Sequence, residues 1–209
     1  MPRRANELNT TSFAMLGMLA IRPWSTYELA KHMERSLRPL WPRARSHLFN
    51  EPKKLVAHGL AVASDQTVGR RPRTVYSITP KGRRALRKWL GAPGEGPVIE
   101  FEQLLKVFFA DHGGKTEALT AVAHIKAWAR IRNADNIAVA RSYVAGTGPF
   151  PERVAVLSVV GRFHTDFADM VAAWADWAAT TIEGWPEEPS RAEPDWSFMR
   201  KLARRDPDR

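Results

Sequence analysis

The sequence predicts a mostly α-helical chain in two chemically unlike parts. Three observations carry that prediction. Apolar residues recur at helical spacing through most of the chain, and the period switches once to strand-like alternation, between about residues 60 and 79. A Gly/Pro-rich stretch, GAPGEGP at 91–97, then separates a basic half from a mildly acidic one. Residues 1–91 hold 18 Lys/Arg against 5 Asp/Glu, whereas residues 92–209 hold 14 against 17. At 209 residues, with 44% hydrophobic and 26% charged, the chain suits one large domain or two small ones with an ordinary core. The parts read as 1–91, 92–185 and a mobile tail at 186–209. There is no cysteine, hence no disulfide framework and no thiolate metal site. Without a long apolar run or a basic-plus-apolar leader, the expectation is a cytoplasmic protein with no membrane partner.

In the first part, TSFAMLGMLAIRPWS opens a helix with Thr11 or Ser12 as cap and Phe13, Leu16 and Leu19 on its apolar face; Arg22–Pro23 stops it. A second helix follows in STYELAKHMERSL. Ser25 and Glu28 have the spacing of a capping box, and Tyr27, Leu29, Ala30, Met33 and Leu37 form its stripe. The third, from Pro42 to Gly59, contains Pro52, which inside a helix removes a backbone bond and clashes with the carbonyl of Leu48; a kink or break near Asn50 is expected. Leu48, Leu55 and Val56 face inward there, and Arg43, His47, Asn50 and Lys54 make a polar stripe. LAVASDQTV and RTVYSIT are strands joined by a GRRP turn, and TPKGRRALRKWLG returns to helix with Thr79 as cap. Two helices, a third with a basic face, and a basic hairpin after it describe a winged helix-turn-helix, three helices plus a β-hairpin wing.

The stretch GRRPRTVYSITPKGRRAL, residues 69–86, is rich in Arg and Lys and holds no acid. Repulsion along such a ribbon is a cost unless a polyanion neutralises it, and a helix with Arg and Asn on one face can grip guanine and adenine edges in the major groove. The candidate DNA contacts are therefore Arg43, Arg45, Ser46, His47 and Asn50 for bases, Lys53 and Lys54 for phosphate, and Arg70, Arg71 and Arg73 at the wing tip. Enzymatic patterns are missing: the six histidines lack metal-ligand spacing, and there is no G-x-S-x-G, phosphate-cradling glycine loop or nucleotide fingerprint. No catalytic residue, metal or cofactor is expected.

In the second part, Phe101, Leu104, Leu105, Phe108 and Phe109 form an amphipathic stripe, and residues 115–144 a long Ala-rich helix. The last helix, 151–183, places Val156, Val160, Phe163, Phe167, Met170, Trp174 and Trp177 at 4, 3, 4, 3, 4, 3 spacing. That heptad seam asks for a partner helix, either within the chain or in a second copy. Trp128, Trp174 and Trp177 are candidates for an aromatic ligand site, with core or seam packing as the alternative.

SFAMLGMLAIRPWSTYELAKHM, SHLFNEPKKLVAHGLA and GRRPRTVYSITPKGRRALRKWL closely resemble the amino-terminal domain of PadR-like transcriptional regulators. FEQLLKVFFADH followed by two long helices resembles their carboxy-terminal dimerisation region. The chain departs from the common pattern at Thr26, where members usually have Gly, and at Phe49, where they often have Tyr. The resemblance implies a C-terminal antiparallel long-helix dimerisation domain. It also implies a homodimeric repressor on a pseudo-palindromic operator in double-stranded DNA, often answering to a small aromatic or hydrophobic ligand. Two other readings use the same features: a winged-helix adaptor for an acidic protein partner, which would need an apolar patch beside the basic stripe, and a sensor whose chief activity is ligand capture.

Overall fold

The computed structural model describes residues 7–37, 40–41, 48–68 and 71–206, with backbone alone at 35–36, 67–68 and 71–72. The chain divides into two compact units, Met1–Gly96 and Pro97–Arg209.

The first unit begins with α1, Thr10–Ile21. Its cap is Asn9 rather than Thr11 or Ser12: the Asn9 side chain accepts from Ser12 N, and Ser12 Oγ accepts from Asn9 N, a reciprocal box one turn earlier than expected. Met15, Leu16, Met18 and Leu19 are buried. A two-residue strand β1, Trp24–Ser25, leads into α2, Thr26–Ser36, capped by Ser25 and Glu28 as the sequence predicts. Leu29 and Met33 of α2 enter the core, but Tyr27 faces solvent. The indole of Trp24 is fully buried and donates to Met18 O at 2.8 Å, with the Arg22 guanidinium 3.7 Å from its ring centroid.

Helix α3, Glu51–Ala57, follows a turn at 48–50. Pro52 lies in its first turn, where the missing N–H costs nothing, so the described part of the third helix has a start at Asn50 rather than a kink. Strands β2, Ala61–Val68, and β3, Arg71–Ile78, pair antiparallel, and β1 adds to β3 opposite Val75 and Tyr76, giving the order β1-β3-β2. Arg71 and Pro72 therefore belong to the strand and not to the turn. Pro72 is tolerated because β1 does not extend that far, leaving β3 an edge at this point. Helix α4, Pro80–Leu90, capped by Thr79, closes the unit; its Trp89 stacks on Phe13 of α1, centroids 5.4 Å apart.

The second unit contains α5, Glu102–Phe108; α6, Lys115–Val144; α7, Val154–Glu183; and α8, Trp196–Ala203. Helices α6 and α7 pack through Ala118, Val122, Ile125 and Ala129 against Val171, Ala175, Ala178 and Ile182. This intrachain seam is rich in small residues and lies beside the heptad stripe, sharing Phe167 and Trp174 with it at the margin. Phe101 and Val107 cover one end of that core. Leu105 and Phe108 of α5, and Phe109 at its C-cap, instead face solvent in the single chain. The C-terminal stretch carries α8, whose Phe198 ring sits 6.3 Å from that of Trp177. Among the described residues no helix is long and apolar enough to cross a membrane, and no group of three or more His, Cys, Asp or Glu is placed to hold a metal ion.

Candidate nucleic-acid interface

A seven-residue helix is marginal by itself, so α3 depends on what holds its ends. At its start, Ser12 Oγ of α1 donates to Glu51 Oε2 at 2.6 Å, both residues being buried. At its end, Gly59 takes a left-handed φ of +69°. Leu60 N then donates to Leu55 O and Gly59 N to Val56 O, the two bonds of a Schellman stop. The first turn of α4 fastens the same corner: Thr79 Oγ1 donates to Gly59 O at 2.8 Å and Lys81 Nζ to His58 O at 2.9 Å. The run TPKG is thus a clamp on the C-terminus of α3. Its threonine caps α4, its proline starts the helix, its lysine meets the carbonyl of His58 at the C-cap of α3, and its glycine lies against Leu60.

On the helix so held, Asn50 and Lys53 are exposed. Asn50 is the N-cap residue but its side chain makes no cap hydrogen bond, so its amide is not committed to the helix. Lys54 behaves differently. Its side chain is only 9% exposed and its ammonium lies 3.4 Å from Glu51 Oε1. Arg43, Arg45, Ser46 and His47 lie outside the described residues, as does Arg70.

In the wing, the register pairs Val68 with Arg71, with residues 69 and 70 between them. Arg71 is thus the first residue of β3 beside this connection. Arg73 stands two residues further in, opposite Gln66, with its guanidinium 3.7 Å from Glu28 on α2. Hydrogen bonds from the Ser25 hydroxyl and backbone, with Arg73 and Arg22 nearby, hold the Glu28 carboxyl below the usual carboxylate range. Arg83, Arg84, Arg87 and Lys88 are exposed on α4. The sequence reading missed both carboxylates. The sequence pattern gives Glu28 only the spacing of a cap and assigns Glu51 no role, although Pro52 beside it marks the helix start that turns it inward.

In the second unit, Val156, Phe163, Met170 and Trp177 are all more than half exposed, and Val160, Phe167 and Trp174 are half-buried. Trp128 meets Phe101 and Phe167 at centroid distances of 5.6 and 6.1 Å, Trp174 lies against the α6–α7 core, and Trp177 meets Phe198. The three tryptophans therefore occupy three local settings within one chain.

Residues 15–88 match the sequence model of the family described as "Transcriptional regulator PadR-like family". They run from within α1 almost to the end of α4. Over these residues the chain is similar to PadR-like regulators. It is 25% identical over 113 residues to the Negative transcriptional regulator PadR of Bacillus subtilis (strain 168), a match covering 53% of this chain and 62% of that one. The chain thus spans less than two thirds of that curated relative. The PadR fold extends further than the matched sequence. The crystal structure of Bacillus subtilis PadR in complex with operator DNA superposes with a TM-score of 0.73 at 19% identity, covering 83% of this chain and 99% of that chain. The complex of the same protein with p-coumaric acid gives 0.67 at 18% identity, covering 84% and 99%. At these identities the likeness to the PadR structures is one of fold.

Proposed function

We propose that this chain is a sequence-specific DNA-binding transcriptional regulator that acts as a homodimer on a pseudo-palindromic operator, as a repressor released by a small aromatic effector. The observation that carries the reading is α3 itself: a short helix clamped at both ends that presents Asn50 and Lys53 to solvent, beside an arginine-rich hairpin, in a half with thirteen more basic than acidic residues. Asn50, with Arg43, Arg45, Ser46 and His47 preceding it, reads base edges; Lys53 and the wing residues Arg70, Arg71 and Arg73 hold phosphates. The exposed members of the stripe, Val156, Phe163, Met170 and Trp177, support the dimer, since the intrachain core takes up only Phe167 and Trp174 at its margin and an apolar surface of that length needs cover. A relative bound to operator DNA and the same relative bound to p-coumaric acid support the choice of partners.

Selection from a pool of random duplexes at two salt concentrations tests this reading. A two-fold-symmetric motif enriched at both concentrations is the expected result. Enrichment without a motif would leave only charge-driven binding.

A further inference from the structure

One buried ion pair on α3 does not serve the contacts assigned above. Glu51 is 5% exposed, and both of its carboxylate oxygens are engaged: Oε2 accepts from Ser12 of α1 at 2.6 Å, and Oε1 faces Lys54 Nζ at 3.4 Å. The backbone position of Lys54 is unlike its side-chain position. At 100° per residue, Lys54 lies about 40° around the helix from Asn50 and Lys53 about 60° the other way, so all three sit on one face. Lys53 reaches solvent from that face. Lys54, with a stem long enough to do the same, folds back one turn onto Glu51.

Ser12 decides the direction. An unanchored Glu51–Lys54 pair could swing outward together, but Glu51 is fixed to α1, so the ammonium must come to the carboxylate. We propose that Glu51 is a specificity-determining residue that withholds Lys54 from DNA. A cation free on the reading face would add a phosphate contact on every sequence alike, raising non-specific affinity without improving discrimination. Held inside, Lys54 leaves that face to Asn50 and Lys53. The inference rests on α3 being the DNA-reading helix.

Glu51→Gln keeps the shape and an acceptor for Ser12 but removes the charge that retains Lys54. An ammonium left buried without its counter-charge moves to water or to phosphate. The experiment titrates wild type, Glu51→Gln, Lys54→Gln and the double variant with a scrambled duplex over a salt series, with circular dichroism as the check on folding. Glu51→Gln should bind scrambled DNA several-fold more tightly at low salt, with a log–log salt slope steeper by about 0.9 per half-site. Lys54→Gln should match wild type, and the double variant should return to it. An unchanged slope in folded Glu51→Gln overturns the proposal. So does a shallower slope in Lys54→Gln, which would place that ammonium on phosphate already. If Glu51→Gln does not fold, Lys54→Gln alone decides, because the glutamine amide can donate to Glu51 in place of the ammonium and circular dichroism again checks the fold: an unchanged slope supports withholding and a reduced one overturns it. A wild type with no salt-dependent duplex binding would instead contradict the DNA reading itself.

Discussion

Gly82 stands so close to Leu60 that a Cβ built on it would lie 2.1 Å from the Leu60 carbonyl oxygen and 2.9 Å from Ile78 Cγ1. Thr79 and Lys81, which clamp the end of α3, leave from this same corner. Gly82→Ala should therefore push α4 off the start of β2, costing about 1–3 kcal/mol as overpacking does. A lowered urea midpoint, with weaker duplex binding from a loosened α3, is the expected outcome.

Glu28 carries a pH dependence whose sign follows from its environment. Its folded pKa lies below the ordinary value of 4.5, chiefly through the Ser25 hydroxyl, so its contribution is present above the unfolded value and fades as pH falls through the folded one. Glu28→Gln should be less stable than wild type by a constant margin from about pH 5 to 7, and the margin should close below about pH 4. Because the pair with Arg73 is solvent-exposed, the effect is small. Thermal melts of both proteins across that range check the sign.

The exposed stripe on α7 makes a prediction about assembly. Phe163 is 58% exposed in the single chain, so Phe163→Glu should leave the helix intact while placing a charge in the proposed dimer seam. Light scattering at micromolar concentration should give twice the chain mass for wild type and one chain mass for the variant.

Trp128 and Trp174 supply the test of the effector. A planar aromatic acid should quench tryptophan fluorescence, and Trp128→Ala or Trp174→Ala should weaken that quench without abolishing duplex binding by the ligand-free protein. No response across a broad aromatic panel would remove the effector from the account.

What the sequence disclosed depended on how strongly each residue constrains its surroundings. The Ser25–Glu28 box, the Thr79–Pro80 helix start and the switch in period are local rules with few alternatives, and they recur in the structure. The heptad stripe on α7 was legible because its residues are large. The intrachain seam was not, because Ala118, Ala129, Ala175 and Ala178 carry little hydrophobic signal although they are what lets α6 and α7 approach. Strand β1 is two residues long, too short for any period to show. Lys54 read as a solvent-facing cation because nothing in its local sequence announces that Ser12, far back in the chain, anchors its counter-ion.

The division of labour between α3 and the wing is tested most directly by one set of affinities: wild type, Asn50→Ala and Arg71→Ala, each on the selected duplex and on a scrambled one at a single salt concentration. Asn50 makes no side-chain cap bond, so alanine there removes the proposed base contact at little cost to the helix. Wild type should prefer the selected duplex by about 10³ or more. Asn50→Ala should lose about 1–3 kcal/mol on that duplex alone. Arg71→Ala should weaken both duplexes by a similar factor. Equal wild-type affinity for the two duplexes would contradict the reading, and Asn50→Ala weakening both equally while Arg71→Ala alone shifts the preference would reverse the roles of helix and wing.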